Sequence, residues 1–92
     1  MSSTFHLQLA TPERLLLDLQ AVEAQWPAAN GYMGVLPGHA PLISMLGNGV
    51  LTYSVPGTRG RAQVRIENGF VEVLNDEVRI LADKAEMAEP SH

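Results

Sequence analysis

The stretch of residues 31–41, Gly31-Tyr-Met-Gly-Val-Leu-Pro-Gly-His-Ala-Pro41, contains three glycines and two prolines. Glycine permits positive φ, whereas proline holds φ near about −65° and has no N–H to donate, so these residues disfavour a helix and a central strand alike. We expect a shaped loop or a pair of turns here, with one imidazole, His39, near its tip. Apolar residues follow at Leu42 and Ile43, and we expect the rest of the chain to be the scaffold that holds this loop.

Composition sets broad limits on the fold and on the partners. The chain has 92 residues, of which 46% are hydrophobic and 17% charged, a balance typical of one small globular domain. Its net charge of −4 offers no basic surface, so we expect no nucleic-acid partner. Cysteine is absent, which excludes disulfides, thiolate metal sites and a cysteine nucleophile. No apolar run approaches the roughly 20 residues that a membrane-spanning helix needs, and no signal-peptide pattern is visible.

Alternating apolar and polar residues predict strands along most of the chain. The pattern is clear in residues 5–9, 50–55, 61–67, 70–74 and 78–82. Asn68 and Gly69 indicate a tight turn or a bulge. The spacing of about ten residues between strands is typical of a sandwich or barrel. Residues 83–89 are compatible with the beginning of a helix, which Pro90 would end.

Residues 11–26 are compatible with two different structures. Thr11 could cap a helix with Pro12 at its first position, and an apolar stripe at helical spacing would follow, so periodicity alone slightly favours a helix. A strand is the alternative, because Val22, Ala24 and Trp26 alternate with polar residues and Pro27 would end the run.

Residue patterns that would indicate catalysis are missing. The sequence has no Gly-x-Ser-x-Gly, no Ser-x-x-Lys and no phosphate-binding glycine loop, and its histidines, His6, His39 and His92, lack metal-ligand spacing. We therefore predict no catalytic, cofactor-binding or metal-binding residues. His39 is either a turn histidine bonded to nearby backbone or a contact to a partner. Tyr32 and Met33 are either core residues or part of a protein interface, where both residue types are enriched.

Several blocks of sequence, in order, resemble the epsilon subunit of the F-type ATP synthase. They are residues 11–14 (TPER), 34–42 (GVLPGHAPL), 49–50 (GV), 68–73 (NGFVEV) and 78–83 (VRILAD), and the similarity covers about residues 5–86. The resemblance implies an all-β fold, a flattened antiparallel β-sandwich of about ten short strands. It favours the strand interpretation of residues 15–26. It also implies a domain of residues 1–86 and a short tail of residues 87–92, without the two C-terminal helices of typical members.

The same resemblance implies a non-catalytic function. Such a subunit belongs to the central stalk, docks on the gamma subunit and on the c-ring, and couples proton-driven rotation to ATP synthesis while the catalytic sites lie elsewhere. It needs no cofactor and is peripheral to the membrane, at the cytoplasmic face of a bacterial inner membrane rather than an organellar one. A stand-alone β-sandwich interaction module, or a small metal- or ligand-binding domain that uses His6 and His39, is the alternative.

Positions carried over from the family define two expected contact sets. The gamma-facing residues are Thr11, His39, Pro41, Leu42 and Ser44, and the c-ring-facing residues are Gly31, Tyr32 and Met33. The chain departs from the family at Tyr32, where an acidic residue is usual, so we expect an aromatic or hydroxyl contact in place of an ion pair. It also departs at Asn68, where a second glycine is common, and asparagine tolerates the positive φ expected there.

Overall fold

A computed structural model describes residues 3–87, which form eight β-strands. The strands are β1 Phe5–Ala10, β2 Leu15–Ala21, β3 Glu23–Ala28, β4 Gly31–Val35, β5 Leu42–Leu46, β6 Gly49–Ser54, β7 Ala62–Leu74 and β8 Glu77–Met87. Within this part of the chain no helix is present, and so none that could cross a membrane.

The strands pair into one continuous sheet in the order β2-β1-β8-β7-β5-β3-β4, with β6 paired to both β3 and β7. All pairs are antiparallel except β1 with β8, which is parallel. The strand β7 exchanges partners along its length. Its first part, residues 62–66, pairs with β6, and its second part, residues 69–73, pairs with β5.

The long hairpin of β7 and β8 passes from one layer of the fold to the other. Val64 and Ile66 are buried in the first part of β7, whereas Val71 and Val73 are buried in the second part, so the parity of the buried positions changes at residues 68–69. The same change occurs in β8 between Ala82 and residue 85. Since alternate side chains point to opposite faces of a strand, the inward face is inverted there, as in sandwiches whose corners are made by bent strands.

The bend divides the sheet into two layers around a single core. We call β2, β1, residues 77–82 of β8, residues 69–74 of β7 and β5 the first layer. The second layer contains the remaining parts of β7 and β8 with β6, β3 and β4. Both layers contribute to one hydrophobic cluster, whose largest fully buried side chains are Trp26, Phe5, Leu7, Leu9, Leu51, Ile66 and Ile80.

Asn68 and Gly69 make the bend possible. Both have positive φ, 52° for Asn68 and 137° for Gly69. A Cβ atom at Gly69 would collide with the backbone carbonyl oxygen of Leu81 on the paired strand. Asparagine is one of the few residues that adopt positive φ readily, so the expectation for Asn68 is confirmed, although the chain bends here and does not reverse.

The all-β class and the strand interpretation of residues 15–26 are confirmed. Ala24 and Trp26 are buried on β3, while Val22 lies in the bend between β2 and β3. The apolar positions of this segment fit both the helical period and the strand period. The strand forms because β2 can hydrogen-bond to the backbone of β1, which a helix could not do.

Four other expectations are wrong in detail. Residues 31–35 form the edge strand β4 and not a loop, because an edge strand tolerates glycine and needs only one hydrogen-bonded neighbour. Pro27 lies within β3 and does not end it. Residues 83–87 continue β8 and do not begin a helix. The strands number eight in residues 3–87 and not about ten, since residues 61–67 and 70–74 belong to one bent strand.

Residues 88–92, which include most of the expected tail and His92, lie outside the described residues.

Candidate functional site

The outer faces of the two layers differ in chemistry. On the second layer, most exposed side chains of β7 and β8 are polar or charged, including Gln63, Arg65, Glu67, Lys84 and Glu86; the exceptions, Ala62 and Met87, lie at strand ends. Polar and charged side chains are well solvated, so this face does not need to be covered by another protein. The outer face of the first layer instead exposes large apolar side chains, a pattern typical of interaction surfaces.

Five apolar residues form a continuous row across the first layer, which we call the apolar stripe. Register pairs join its members from strand to strand: Met45 with Phe70, Phe70 with Leu81, Leu81 with Ala10, and Ala10 with Leu15. The exposed fractions are 68% for Met45, 44% for Phe70, 44% for Leu81 and 52% for Leu15. A shallow depression of about 290 Å³ lies along the stripe and is lined in part by Leu15, Phe70 and Leu81.

An irregularity in β2 brings Leu15 into the stripe. Leu9 pairs with Leu17, but the next residue of β1, Ala10, pairs with Leu15, so Leu16 is extra. Leu16 packs against the core, and Leu15 remains on the outer face. Bulges of this kind redirect side chains at sheet edges.

A charged row runs beside the stripe on the same face. Glu72 pairs with Arg79, and Arg79 pairs with Gln8, which pairs in turn with Asp18. Beyond this row, the His6 ring contacts Asp18 through Nε2 and lies 3.5 Å from Glu77 Oε1 through Nδ1. The hydrogen bond to Asp18 is the main cause of a raised pKa of His6, and Glu77 adds to it against the opposing effect of burial. Within residues 3–87 no three His, Asp or Glu side chains are arranged to hold a metal ion.

Residues 36–41, which we call the corner loop, connect β4 to β5. Leu36 O accepts a hydrogen bond from His39 N at 3.2 Å, and Gly38 has a φ of 84°, the arrangement of a type II turn with Pro37 and Gly38 at its centre. The His39 ring bonds through Nδ1 to the Ala40 carbonyl oxygen at 2.7 Å. This contact fits the interpretation of His39 as a turn histidine. Because a carbonyl oxygen only accepts, Nδ1 carries the proton and Nε2 can accept from a partner.

The five residues expected to face gamma do not all lie on one side of the sheet. Thr11 follows β1 and, with Pro12, Phe70 and Leu81, lines a shallow depression beside the middle of the stripe. His39 and Pro41 are exposed in the corner loop. Leu42 and Ser44 lie on the inward side of β5: Leu42 packs against the core, and the Ser44 hydroxyl donates to Met33 Sδ at 3.3 Å. The outward residues of β5 are Ile43 and Met45.

The three residues expected to face the c-ring lie at the start of β4, next to the turn at residues 29–30. Tyr32 is 59% exposed, yet its hydroxyl oxygen accepts a hydrogen bond from Val50 N at 3.1 Å. The tyrosine hydroxyl also lies over Gly49, where a Cβ would be 2.5 Å away. Met33 is half-buried and packs against the core, whereas Gly31 is exposed.

Sequence patterns alone did not identify the apolar stripe. A local signal existed, because Ile80, Leu81 and Ala82 are consecutive apolar residues in a strand that should alternate. The pairing that joins Leu81 to residues 10, 15, 45 and 70 links four other strands and is visible only in the tertiary structure.

Comparison with known sequences identifies similar proteins. A family model described as the beta-sandwich domain of the ATP synthase delta/epsilon chain matches residues 4–88. The ATP synthase epsilon chain of Solibacter usitatus is 55% identical over 89 residues, which are 97% of this chain and 65% of that protein. The epsilon chain of Koribacter versatilis is 43% identical over 89 residues, or 97% of this chain and 61% of that protein. The chain therefore spans somewhat less than two thirds of the length of these relatives.

Solved structures with a similar fold are also chains of ATP synthases. A chain of the Euglena gracilis mitochondrial ATP synthase, solved by cryo-EM as OSCP/F1/c-ring, superposes with a TM-score of 0.87 at 25% identity and covers 95% of this chain and 55% of its own length. A chain of the Tetrahymena thermophila mitochondrial central stalk and c-ring has a TM-score of 0.72 at 15% identity, with coverages of 87% and 63%. The second likeness supports the sandwich fold alone.

Proposed function

The chain belongs to the delta/epsilon family of ATP synthase subunits through its β-sandwich domain, and from this premise we propose that it is a rotor element of the central stalk. In this role it docks on the gamma subunit and on the c-ring, and it couples proton-driven rotation to ATP synthesis. The sandwich suits a part that transmits torque, because a close-packed interior deforms little. Family membership does not favour the alternative of a stand-alone interaction module or a small ligand-binding domain.

The apolar stripe is the single observation that best supports docking on gamma. Four large apolar side chains exposed by 44% or more lie on adjacent strands of a rigid sheet. Covering such a surface supplies binding energy at little ordering cost, since the sheet is already formed. Thr11 adjoins the middle of the stripe and extends this surface, and the exposed residues His39 and Pro41 lie on the far side of the charged row. Leu42 and Ser44 contribute by supporting β5 from the inward side.

The contact with the c-ring is assigned to the end of the fold that carries Gly31, Tyr32 and Met33. Its neighbours, residue 28 at the end of β3 and residues 29–30 of the turn, are Ala, Ala and Asn, so this end is uncharged. A contact made here depends on shape and on neutral hydrogen bonds rather than on ion pairs. The Tyr32 hydroxyl, whose oxygen accepts from Val50 N, retains its own proton for donation to the ring. Tyr32→Ala should loosen coupling, and unchanged proton-driven ATP synthesis in membranes would contradict this contact.

The remaining assignments follow from the rotor role. The subunit itself catalyses nothing and binds no cofactor, because the residue patterns for either are missing from the sequence. It is peripheral to the membrane, attached through the complex, at the cytoplasmic face of a bacterial inner membrane. Residues 1–86 act as one domain.

Substitution of Phe70 by Ser tests the gamma-facing surface. Phe70 is 44% exposed, which is about 90 Å² for a side chain of about 200 Å². At about 25 cal/mol per Å², covering that area contributes about 2 kcal/mol, so Phe70→Ser should weaken binding to gamma about 30-fold. Titration calorimetry with the purified gamma subunit measures this. A charged replacement at the exposed His39 should weaken binding in the same direction.

The matched control is Gln63→Ala, which lies on the same strand but on the polar outer face of the second layer. It should leave the affinity for gamma within about two-fold of the original. Equal effects of the two substitutions, or no effect of Phe70→Ser, would show that the stripe is not the docking surface.

A further inference from the structure

The corner loop is attached to the rest of the fold mainly through one side chain. Gly38 N donates a hydrogen bond of 2.7 Å to Asp76 Oδ1, which lies 38 residues away in the sequence. The other hydrogen bonds described for the loop, from His39 N to Leu36 O and from the His39 ring to Ala40 O, are internal to it. Packing offers little support, because Pro37 is only half-buried and the other loop residues are exposed. No atom outside residues 37–39 lies within 4 Å of the position a Gly38 Cβ would take.

The turn between β7 and β8 places Asp76 for this contact. Leu74 pairs with Glu77, so only Asn75 and Asp76 lie between the two strands, and their φ values are 51° and 59°. Positive φ at both central residues defines a type I′ turn. The turn is also attached to β1, because the Asp76 carbonyl oxygen accepts a bond of 2.8 Å from His6 N. Asp76 thus joins the rigid first layer to the corner loop.

The residue type at position 76 departs from what the turn alone prefers. In a type I′ turn whose first central residue is asparagine, glycine is the favoured second residue, and aspartate adopts the required positive φ less readily than glycine does. Aspartate supplies what glycine lacks, a charged acceptor for the Gly38 amide. Asp76 is half-buried, and its long-range hydrogen bond to Gly38 compensates for this departure from the local preference, as is typical of functional sites.

We propose that Asp76 is a positioning residue for the gamma-facing surface. Its carboxylate holds the type II turn of the corner loop against the end of the first layer, so that His39 and Pro41 are presented in one fixed conformation. A loop already ordered before association loses less conformational entropy on binding, which raises affinity without any contact from Asp76 itself. This inference rests on the proposed docking on gamma.

Two substitutions at Asp76 distinguish the loss of its hydrogen bond to Gly38 from a distortion of the turn between β7 and β8. Asp76→Gly removes the carboxylate and keeps, or improves, the type I′ geometry. Asp76→Asn keeps a side-chain oxygen as a neutral acceptor and also tolerates positive φ, and it should form a bond about half as strong. In the full chain, amide hydrogen exchange followed by NMR should show Gly38 exchanging about five-fold faster in Asp76→Gly and about two-fold faster in Asp76→Asn, with core amides unchanged.

Binding to gamma supplies the second measurement. We expect affinity to fall about five-fold in Asp76→Gly, with Asp76→Asn lying between that variant and the original chain. Faster exchange at Gly38 without any loss of affinity would overturn the positioning role, while loss of affinity in Phe70→Ser would still support the proposed function. Unchanged exchange at Gly38 would overturn the contact itself. Failure of the unsubstituted chain to bind gamma would refute the proposed function, and the docking role of Asp76 with it.

Discussion

Substitution of Gly69 by Ala tests the bend on which the two-layer fold depends. Gly69 has a φ of 137°, a conformation that residues with a Cβ rarely adopt. A Cβ built there would collide with the Leu81 carbonyl oxygen and would lie 2.9 Å from Ala82 Cα, so both obstacles are backbone of β8. Backbone cannot rotate out of the way as a side chain can. The β7–β8 ladder must therefore separate locally or the bend must change.

The expected loss of stability combines two costs. Holding a residue with a Cβ in a rare backbone conformation costs about 1–3 kcal/mol. Displacing β8 adds a similar amount, because it strains the hydrogen bonds on either side of the Gly69 and Ala82 pair. The sum of about 4 kcal/mol is a large part of the roughly 5–15 kcal/mol that stabilises a domain. For a chain of this size it corresponds to a fall in Tm of about 15–30 °C.

The buried indole of Trp26, the chain's only tryptophan, reports unfolding through its fluorescence. The matched control is Gly57→Ala, since Gly57 also has positive φ, 77°, but no atom lies within 4 Å of the added Cβ. The control should cost only about 1–2 kcal/mol, the penalty for positive φ alone. If Gly69→Ala lowered Tm no more than Gly57→Ala does, the close approach of β7 and β8 at the bend would be wrong.

The remaining predictions concern the Tyr32 contact and the His6 cluster. Tyr32→Phe removes the acceptor for Val50 N and should cost about 0.5–1.5 kcal/mol in urea unfolding, and an unchanged midpoint would show that the bond contributes nothing. Gly49→Ala places a Cβ 2.5 Å from the Tyr32 hydroxyl, so it should cost more in the original chain than in the Tyr32→Phe background, and equal costs would contradict that contact. Because the pKa of His6 is raised in the folded state, its contribution is complete below about pH 6.5 and is lost as the pH rises through the folded-state pKa. His6→Gln should therefore destabilise the chain more at pH 6 than at pH 9, and an equal effect at both would exclude an ionised His6 from the cluster.

Local sequence patterns were sufficient for most of the fold. Alternation identified the strands of residues 5–9 and 50–55 without ambiguity, because a half-buried strand requires it at every second position. The sequence also predicted turns around Pro37 and Gly38, and the structure shows a type II turn there, which the fixed φ of proline and the freedom of glycine favour. Where two periods fitted the same residues, as in residues 11–26, the sequence alone did not decide.

The candidate site was less predictable than the fold. Resemblance to a family pointed to His39, Tyr32 and their neighbours, and the structure adds that the Tyr32 oxygen already accepts from Val50 N and that Leu42 faces inward. Binding of these residues to gamma or to the c-ring stays a prediction. The apolar stripe as a whole has no signature in the sequence, because each of its five residues belongs to a different strand.

The sequence by itself determined most of the extended segments, the presence of turns around Pro37 and Gly38, and that no catalytic motif is present, since each of these depends on residues within a few positions of one another. Only the tertiary structure decided how the strands are paired. Pairing makes residues 31–35 an edge strand, keeps residues 62–74 one bent strand, and places Asp76 beside Gly38. It also aligns Met45, Phe70, Leu81, Ala10 and Leu15 into one surface. The physical reason is that register between strands depends on burial in the shared core and on backbone hydrogen bonds between distant residues, which local alternation does not encode.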